Sequence, residues 1–383
     1  MNRIRDTIRR FQASPQFLPV GTYHFQTSPD APQQYRLHLR LEPDGRGILI
    51  INASTILHLN QTAAEYAYHM VHGAPEREAG IQIASRYHVR PDQAEQDYRD
   101  FKEKVLTLIQ TPDLDPATFL DFERQDPYSA PLSAPLRLDC ALTYQTITPA
   151  DPRVAPTDRV VRELSTQEWQ AILQKSWDAG IPHIVFTGGE PTLRTDLSGL
   201  VGYAEQLGQV TGLLSDGLRL NEPAYLQALL QSGLDHLMLI LQPDDPASWQ
   251  ALEAVLAGDL FTTVHLTLTA KDQERLPALL QKLAEMKVTS LSLSADDPAL
   301  AGLLQDARQQ AAYLNLSLAW DLPVPYSALH PVALEVGEQA SSGAGKAWLY
   351  VEPDGDVLPE QGINRVLGNF LNDPWDQIRQ NMG

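Results

Sequence analysis

Two glycines, a glutamate and a proline stand together at Gly188-Gly189-Glu190-Pro191, directly after the apolar run Ile184-Val185-Phe186. Glycines at a strand end let the backbone come close to a ligand. The alternative is a tight strand-to-helix turn that the fold itself requires. Arg153 and Arg194 are candidates for attracting a carboxylate or a phosphate, or else for an internal salt bridge with Glu190. His69 and His72 sit i, i+3 on an expected helix, a spacing that suits one edge of a metal site. No third ligand accompanies them, and a solvated helix face beside Gly73 is the plainer reading. The acid-rich Gln242-Pro243-Asp244-Asp245-Pro246 reads as a polar loop rather than a metal site. Cys140 is the single cysteine of the 383-residue chain. One cysteine excludes an internal disulfide framework and any thiolate-built zinc or iron–sulfur centre within one chain. No Ser–His–Asp, phosphate-loop or dinucleotide-binding arrangement is present.

The elements that must position these residues fall into four sections. An extended region runs from about Tyr23 to Leu59, with a hairpin predicted from Tyr35–Leu41 and Ile48–Ile51 around Pro43-Asp44-Gly45. Three helices follow, over Thr62–Val71 with Gly73 as its stop, over Glu76–Tyr87, and from Pro91 to Leu108. Residues 111–134, rich in Pro, Asp and Ser, read as a linker. From Pro135 to about Asp321, strand-like runs (Leu136–Leu142, His183–Phe186, Gly212–Ser215, Leu237–Leu241, Thr263–Thr269, Ser290–Leu293 and a candidate Leu316–Ala319) alternate with helices such as Thr166–Ala179 and Leu276–Met286. Such alternation predicts an α/β fold with a parallel sheet or barrel. In a barrel the ligand site lies at the carboxyl ends of the strands, where the Gly188–Pro191 turn falls. The tail from Pro331 reads as a separate small unit around Trp348–Val351 and the turn Pro353-Asp354-Gly355-Asp356.

Lys plus Arg total 29 against 48 for Asp plus Glu, a formal net charge of −19. That balance opposes non-specific nucleic-acid binding, which needs a basic surface; the acidic and basic side chains between Glu76 and Lys104 are also mixed, so no basic face for DNA is expected there. No stretch is apolar enough for a membrane span and no signal peptide is evident, so a cytoplasmic location is expected. The first residues run against the acidic trend. Arg3, Arg5, Arg9 and Arg10 face only Asp6, with Ile4, Ile8 and Phe11 at helical spacing. Such an arm can dock on an acidic partner or a membrane surface, or pack on the acidic body of its own chain.

With its surroundings, the Gly188–Pro191 turn resembles the S-adenosylmethionine (SAM)-binding turn of radical SAM peptide maturases. Pro135–Leu138 to Leu142-Thr143-Tyr144-Gln145 is similar to their first barrel strand, Leu164–Trp169 to the start of the next helix, and Ser215-Asp216-Gly217 to a step that is usually Thr-Asn-Gly. Ser232-Gly233-Leu234-Asp235 resembles the following Ala-Gly-Leu-Asp step. Gly343–Lys346, Val351–Gly355, Leu358-Pro359 and Leu367-Gly368-Asn369 resemble the SPASM extension of those enzymes. Leu57–Ala64 and the helices after it resemble the PqqD-like peptide-recognition domain. The resemblance divides the chain into a basic arm at 1–19, a PqqD-like winged-helix domain at 20–110, the linker at 111–134, a partial TIM-like (β/α) barrel at 135–325 and a SPASM-like domain at 326–383.

The resemblance also exposes losses. Its three cluster-cysteine positions fall on Thr146, Ala150 and Arg153, and two positions of the auxiliary cluster fall on Ser342 and Glu360. Cys140 precedes the loop and reads as a buried apolar residue. The family's serine on the fourth barrel strand, a ribose contact, falls on Ile240. These departures imply no iron–sulfur cluster, little residual SAM binding, and a vestigial turn at Gly188, Gly189, Glu190 and Pro191. The expectation is therefore a chain without cofactor or metal and without enzymatic activity, working by binding a peptide or protein. In the family's mode a leader peptide adds to a sheet edge, here Thr55, Ile56, Leu57, His58 and Leu59, with Tyr98 and Phe101 on the neighbouring helix. The alternatives are a structural subunit of a larger assembly and an enzyme whose pocket takes SAM or another small molecule.

Overall fold

The computed structural model describes residues 18–318 and 343–382, except 29, 53–54, 88, 112–113, 115–118, 120–131, 148–159 and 259. The basic arm, most of the linker, and Ala150, Arg153 and Ser342 lie outside the described residues. The chain divides into two compact units, residues 1–125 and 126–383.

The first unit opens with four strands, β1 (Gly21–Gln26), β2 (Arg36–Leu41), β3 (Gly47–Ile51) and β4 (Thr55–Leu59). They pair antiparallel in chain order, so β1 and β4 are the two edges. Three helices follow, α1 (Gln61–Val71), α2 (Glu76–Tyr87) and α3 (Pro91–Gln110). Asn60 caps α1 by accepting the Ala63 N–H at 2.9 Å, and Pro91 opens α3, where its missing N–H costs nothing. Leu37, Leu39 and Leu41 alternate along β2 and meet Leu49, Leu57 and helix residues such as Ala67, Ile83 and Tyr98 in one core. Fully burying each such leucine is worth about 1.5–3 kcal/mol.

The second unit is built on a ten-stranded sheet. Its strands β5 (Arg137–Thr143), β6 (His183–Gly188), β7 (Val210–Ser215), β8 (His236–Ile240), β9 (Phe261–Leu268), β10 (Ser290–Ala295) and β11 (Ser317–Leu318) are parallel and adjacent in chain order. Helices α4 (Thr166–Asp178), α5 (Leu197–Leu207), α6 (Pro223–Gln231), α7 (Pro246–Leu256), α8 (Leu276–Glu285) and α9 (Ala301–Tyr313) fill the connections. The helices share one core with the sheet, as expected when parallel neighbours are joined by crossovers of one hand. Leu138, Cys140 and Leu142, Ile184 and Phe186, Leu237 and Leu239, and Val264, Leu266 and Leu268 share that core with Trp169, Leu200 and Leu252. Ser165 caps α4 in a reciprocal capping box with Glu168.

The tail does not form a sheet of its own. Strand β12 (Trp348–Val351) lies parallel to β5, with Trp348 opposite Arg137 and Val351 opposite Cys140. Strands β13 (Asp356–Leu358) and β14 (Gly368–Asn369) continue antiparallel, and α10 (Trp375–Asn381) closes the chain. The Lys175 ammonium on α4 donates to the carbonyls of Phe370, Leu371 and Asp373 at 2.6, 3.1 and 3.0 Å, which pins the tail to the helical layer. No helix among the described residues is long and apolar enough to cross a membrane.

Candidate functional site

Beyond β5 the chain stays beside β6 rather than leaving the sheet. Gly189 N–H donates to Thr143 O and Glu190 N–H to Gln145 O, both at 2.7 Å. Gly188 adopts φ +134°, and a Cβ there would lie 2.2 Å from Thr143 O; one on Gly189 would lie 2.2 Å from Gln145 O. The closeness of the β5 backbone is therefore sufficient to require both glycines. Pro191 then opens a single 3-10 turn, Pro191–Leu193.

Glu190 is buried beneath this turn. Its Oε1 accepts from Thr192 N–H (3.0 Å), Thr192 Oγ1 (2.5 Å) and Ser215 Oγ (2.8 Å), and its Oε2 accepts from Asp216 N–H (2.8 Å). Burial, with the Asp216 carboxylate nearby, pushes the Glu190 carboxyl up to about 7 against the pull of these hydrogen bonds. Asp216 is also raised by burial, while its Oδ1 accepts the Leu218 N–H at 2.9 Å.

A polar cavity of ≈ 290 Å³ opens beside the turn, lined by Thr143, Gln145, Glu163, Arg194, Thr195 and Asp196 among others. Arg194 is an internal partner, but of Asp196 rather than Glu190: Nε and Nη2 donate to its two carboxylate oxygens at 2.9 and 2.7 Å. Its Nη1 is spent on Leu142 O and Leu164 O, at 3.1 and 3.0 Å. Glu163, unmarked in the sequence, lines the same cavity. Its Oε1 accepts from Thr143 Oγ1 at 2.5 Å and Tyr144 N–H at 3.1 Å.

The sheet face away from the helices is more polar than the runs of leucine suggest. Val185, Leu214, Met238 and Ile240 cluster on it. Farther along, Thr263 on β9 bonds Ser290 on β10 at 2.9 Å. His265 reaches Ser292 through Nδ1 (3.0 Å), and Thr267 and Ser294 through Nε2 (both 3.1 Å). The signal was present in the sequence as period-two polarity, Thr-x-His-x-Thr against Ser-x-Ser-x-Ser. It was hidden because the intervening residues are apolar and read as a continuous strand. At the amino ends of the strands, His183 Nε2 and His236 Nε2 meet at 2.7 Å. Burial and the neighbouring Arg137 lower His236 to about 4.

Other residues singled out by sequence are scattered. Thr55 and Ile56 on β4 are half-buried, Leu57 and Leu59 face the core, and His58 is exposed. Tyr98 lies inside the core at 1% exposure, with its hydroxyl donating to Ala74 O at 3.3 Å, so it offers no surface to a ligand. Phe101 is half-buried against Tyr66. His69 turns inward to Glu65 at 3.7 Å, whereas His72 packs on the Tyr68 ring with its Nδ1 on Tyr68 O, so the two imidazoles do not converge. In the Gln242–Pro246 loop, Asp244 pairs with Arg275 and Asp245 caps α7. Thr146 is half-buried just past β5. Glu360 is raised by burial beside Trp348. Glu352, Asp354 and Asp356 bring carboxylates within 4.8 Å of one another, with Glu352 accepting the Tyr144 hydroxyl at 2.9 Å.

Residues 140–257 match the Radical SAM superfamily model. A PqqA peptide cyclase of Xanthomonas axonopodis pv. citri (strain 306) is 29% identical over 237 residues, covering 54% of this chain and 62% of that protein. A PqqA peptide cyclase of Streptomyces rochei is 29% identical over 246 residues, covering 56% and 67%. The chain thus spans about three fifths of the length of the first of these curated relatives. Among solved structures, Streptococcus suis SuiB bound to S-adenosylmethionine superposes with a TM-score of 0.58 at 17% identity, over 93% of this chain and 88% of that one. SuiB bound to precursor peptide SuiA gives 0.56 at 17% identity, over 89% and 86%.

These findings correct two expectations. A chain without enzymatic activity is contradicted by the superfamily match and by relatives that are named peptide cyclases. A chain without cofactor is contradicted by a superfamily defined by its use of S-adenosylmethionine, which one neighbour holds. The donor set for an iron–sulfur cluster is a separate matter. Cys140 is fully buried in the helix-facing core, its thiol is pushed well up by burial, and three thiolates are not available from one cysteine. Residues 140–257 thus match the Radical SAM superfamily model within an α/β fold like that of SuiB, and proteins named peptide cyclases are among the relatives of the chain.

Proposed function

We propose that this protein serves peptide modification, holding a peptide in extended form along the outer edge of β4 and using S-adenosylmethionine as the ligand of its barrel unit. The observation that carries the reading is β4 itself. It ends the first sheet and pairs only with β3 among the described residues, so its outer backbone groups are placed to add a strand. His58 is exposed there and Phe101 is half-buried on α3. A relative named for the PqqA peptide and a neighbour solved with a precursor peptide support a peptide as the substrate class.

Random extended peptides displayed in a library and selected on the full chain provide the test. Selected peptides should lose roughly tenfold or more in affinity when His58→Pro disturbs the β4 edge. The control, Thr22→Pro on the opposite edge, should leave binding intact. Equal binding to both variants, with unchanged melting curves, sinks the β4 assignment. Equilibrium dialysis of labelled S-adenosylmethionine against the same protein tests the second half separately.

A further inference from the structure

We propose that the cavity at the carboxyl end of β5 binds an organic cation, an ammonium or guanidinium group, through the carboxylate of Glu163. Arg194 in the wall suits either an anionic guest or an internal ion pair, and the second holds. Its guanidinium is instead bound to both oxygens of Asp196 and to two backbone carbonyls, and Thr166 Oγ1 also donates to Asp196 at 2.6 Å. Arg194 and Asp196 therefore cancel each other within the wall, and among the described residues one negative charge, that of Glu163, is left without an ion-pair partner.

Glu163 is built to present that charge. Thr143 Oγ1 and Tyr144 N–H both donate to Oε1, fixing the carboxylate at the strand end. No Lys or Arg among the described residues pairs with it, both bonds fall on Oε1, and the side chain lines the cavity. The exposed side chains of Gln145 and Thr195 add neutral oxygens on the same rim, which suit further N–H donors. The volume of ≈ 290 Å³ equals roughly ten waters. That is room for a short amine or for the end of a lysine or arginine side chain. Glu190 does not line this cavity, so the site is separate from the buried acid under the turn. It stands on the geometry around Glu163, whether or not β4 takes a peptide.

Isothermal titration of the full chain with n-butylamine and agmatine tests the proposal, with n-butanol, acetate and inorganic phosphate as comparison probes. Both cations should bind saturably, and raising salt from about 20 to about 200 mM should weaken them several-fold. Glu163→Gln keeps an acceptor for Tyr144 N–H and should weaken cation binding roughly tenfold with an unchanged melting curve. If that variant melts early, the salt response and the cation-to-butanol preference of the unaltered protein decide the question. A short lysine peptide and its norleucine analogue distinguish a peptide side chain from a free amine as the source. Cation affinity unchanged in Glu163→Gln, butanol binding as well as butylamine, or binding of phosphate or acetate in place of cations would each overturn the assignment.

Discussion

At the carboxyl ends of β6 and β7 an acid, Glu190, is kept out of water; at the amino ends of β6 and β8 two imidazoles, the buried His183 and the half-buried His236, pack against each other. Burial disfavours the charged form at both places, and its consequences have opposite signs. The Glu190 carboxyl is raised to about 7 and His236 is lowered to about 4. The surroundings differ as well. Glu190 gathers four donors from three residues, Thr192, Ser215 and Asp216, so it organises the turn around itself. The imidazoles meet across β7, where Gly212 leaves room for them: a Cβ there would lie 2.2 Å from His236 Cε1. One end is an acid holding a backbone together. The other is a pair of rings fitted into a gap.

That contrast can be broken most directly at Glu190. Glu190→Ala strips the acceptor from two backbone N–H groups and two hydroxyls in a buried site, and should cost about 3–5 kcal/mol in denaturant titration. A loss below about 1 kcal/mol would mean that water replaces the carboxyl and that the turn does not depend on it.

Gly212→Ala is the matching change at the other end, and it should cost about 1–3 kcal/mol by forcing the His236 ring aside. In a double-mutant cycle with His236→Ala the penalty should largely vanish, since the ring that clashes is gone. Additive losses would place the strain in the backbone of β7 instead.

Stability against pH sharpens the comparison further. His236 has its folded-state pKa lowered from 6.5 to about 4, so its contribution is present above pH 6.5 and is lost as pH falls toward 4. Glu190 is raised from 4.5 to about 7, so its contribution is present below pH 4.5 and is lost as pH rises through 7. Melting temperatures across this range should show His236→Gln removing the loss of stability between pH 6.5 and 4, and Glu190→Gln removing the opposite loss between pH 4.5 and 7. A reversal of these roles would contradict the assignment of either group. The smallest effect is expected at Thr187, whose buried hydroxyl finds no partner among the described residues. Thr187→Val should be neutral or stabilising by up to about 1 kcal/mol in thermal melts.

Much of this architecture was legible in the residues. Apolar runs separated by amphipathic stretches announced the parallel sheet, Ser165 the start of α4, and Gly188–Pro191 the end of β6. The ligands of Arg194 were not legible, because Asp196 is two residues away while Leu142 and Leu164 come from other elements. Glu163 carried no motif, and its closeness to Thr143 depends on where the chain returns before α4. Tyr98 looked available because helical spacing alone does not say how deeply a ring sits. The tail read as a separate unit because parallel pairing of β12 with β5 joins residues about two hundred positions apart, and such pairing leaves no local trace.

By itself the sequence determined the local elements, the net acidity and the presence of a single cysteine, since these follow from residue type and short-range spacing. Only the tertiary structure decided what each polar group is for. It set Glu190 under four donors, cancelled Arg194 with Asp196, and left Glu163 facing a cavity with a charge unspent. Those outcomes depend on strand register and on which distant side chains arrive at the same few ångströms, and a linear pattern does not contain that information.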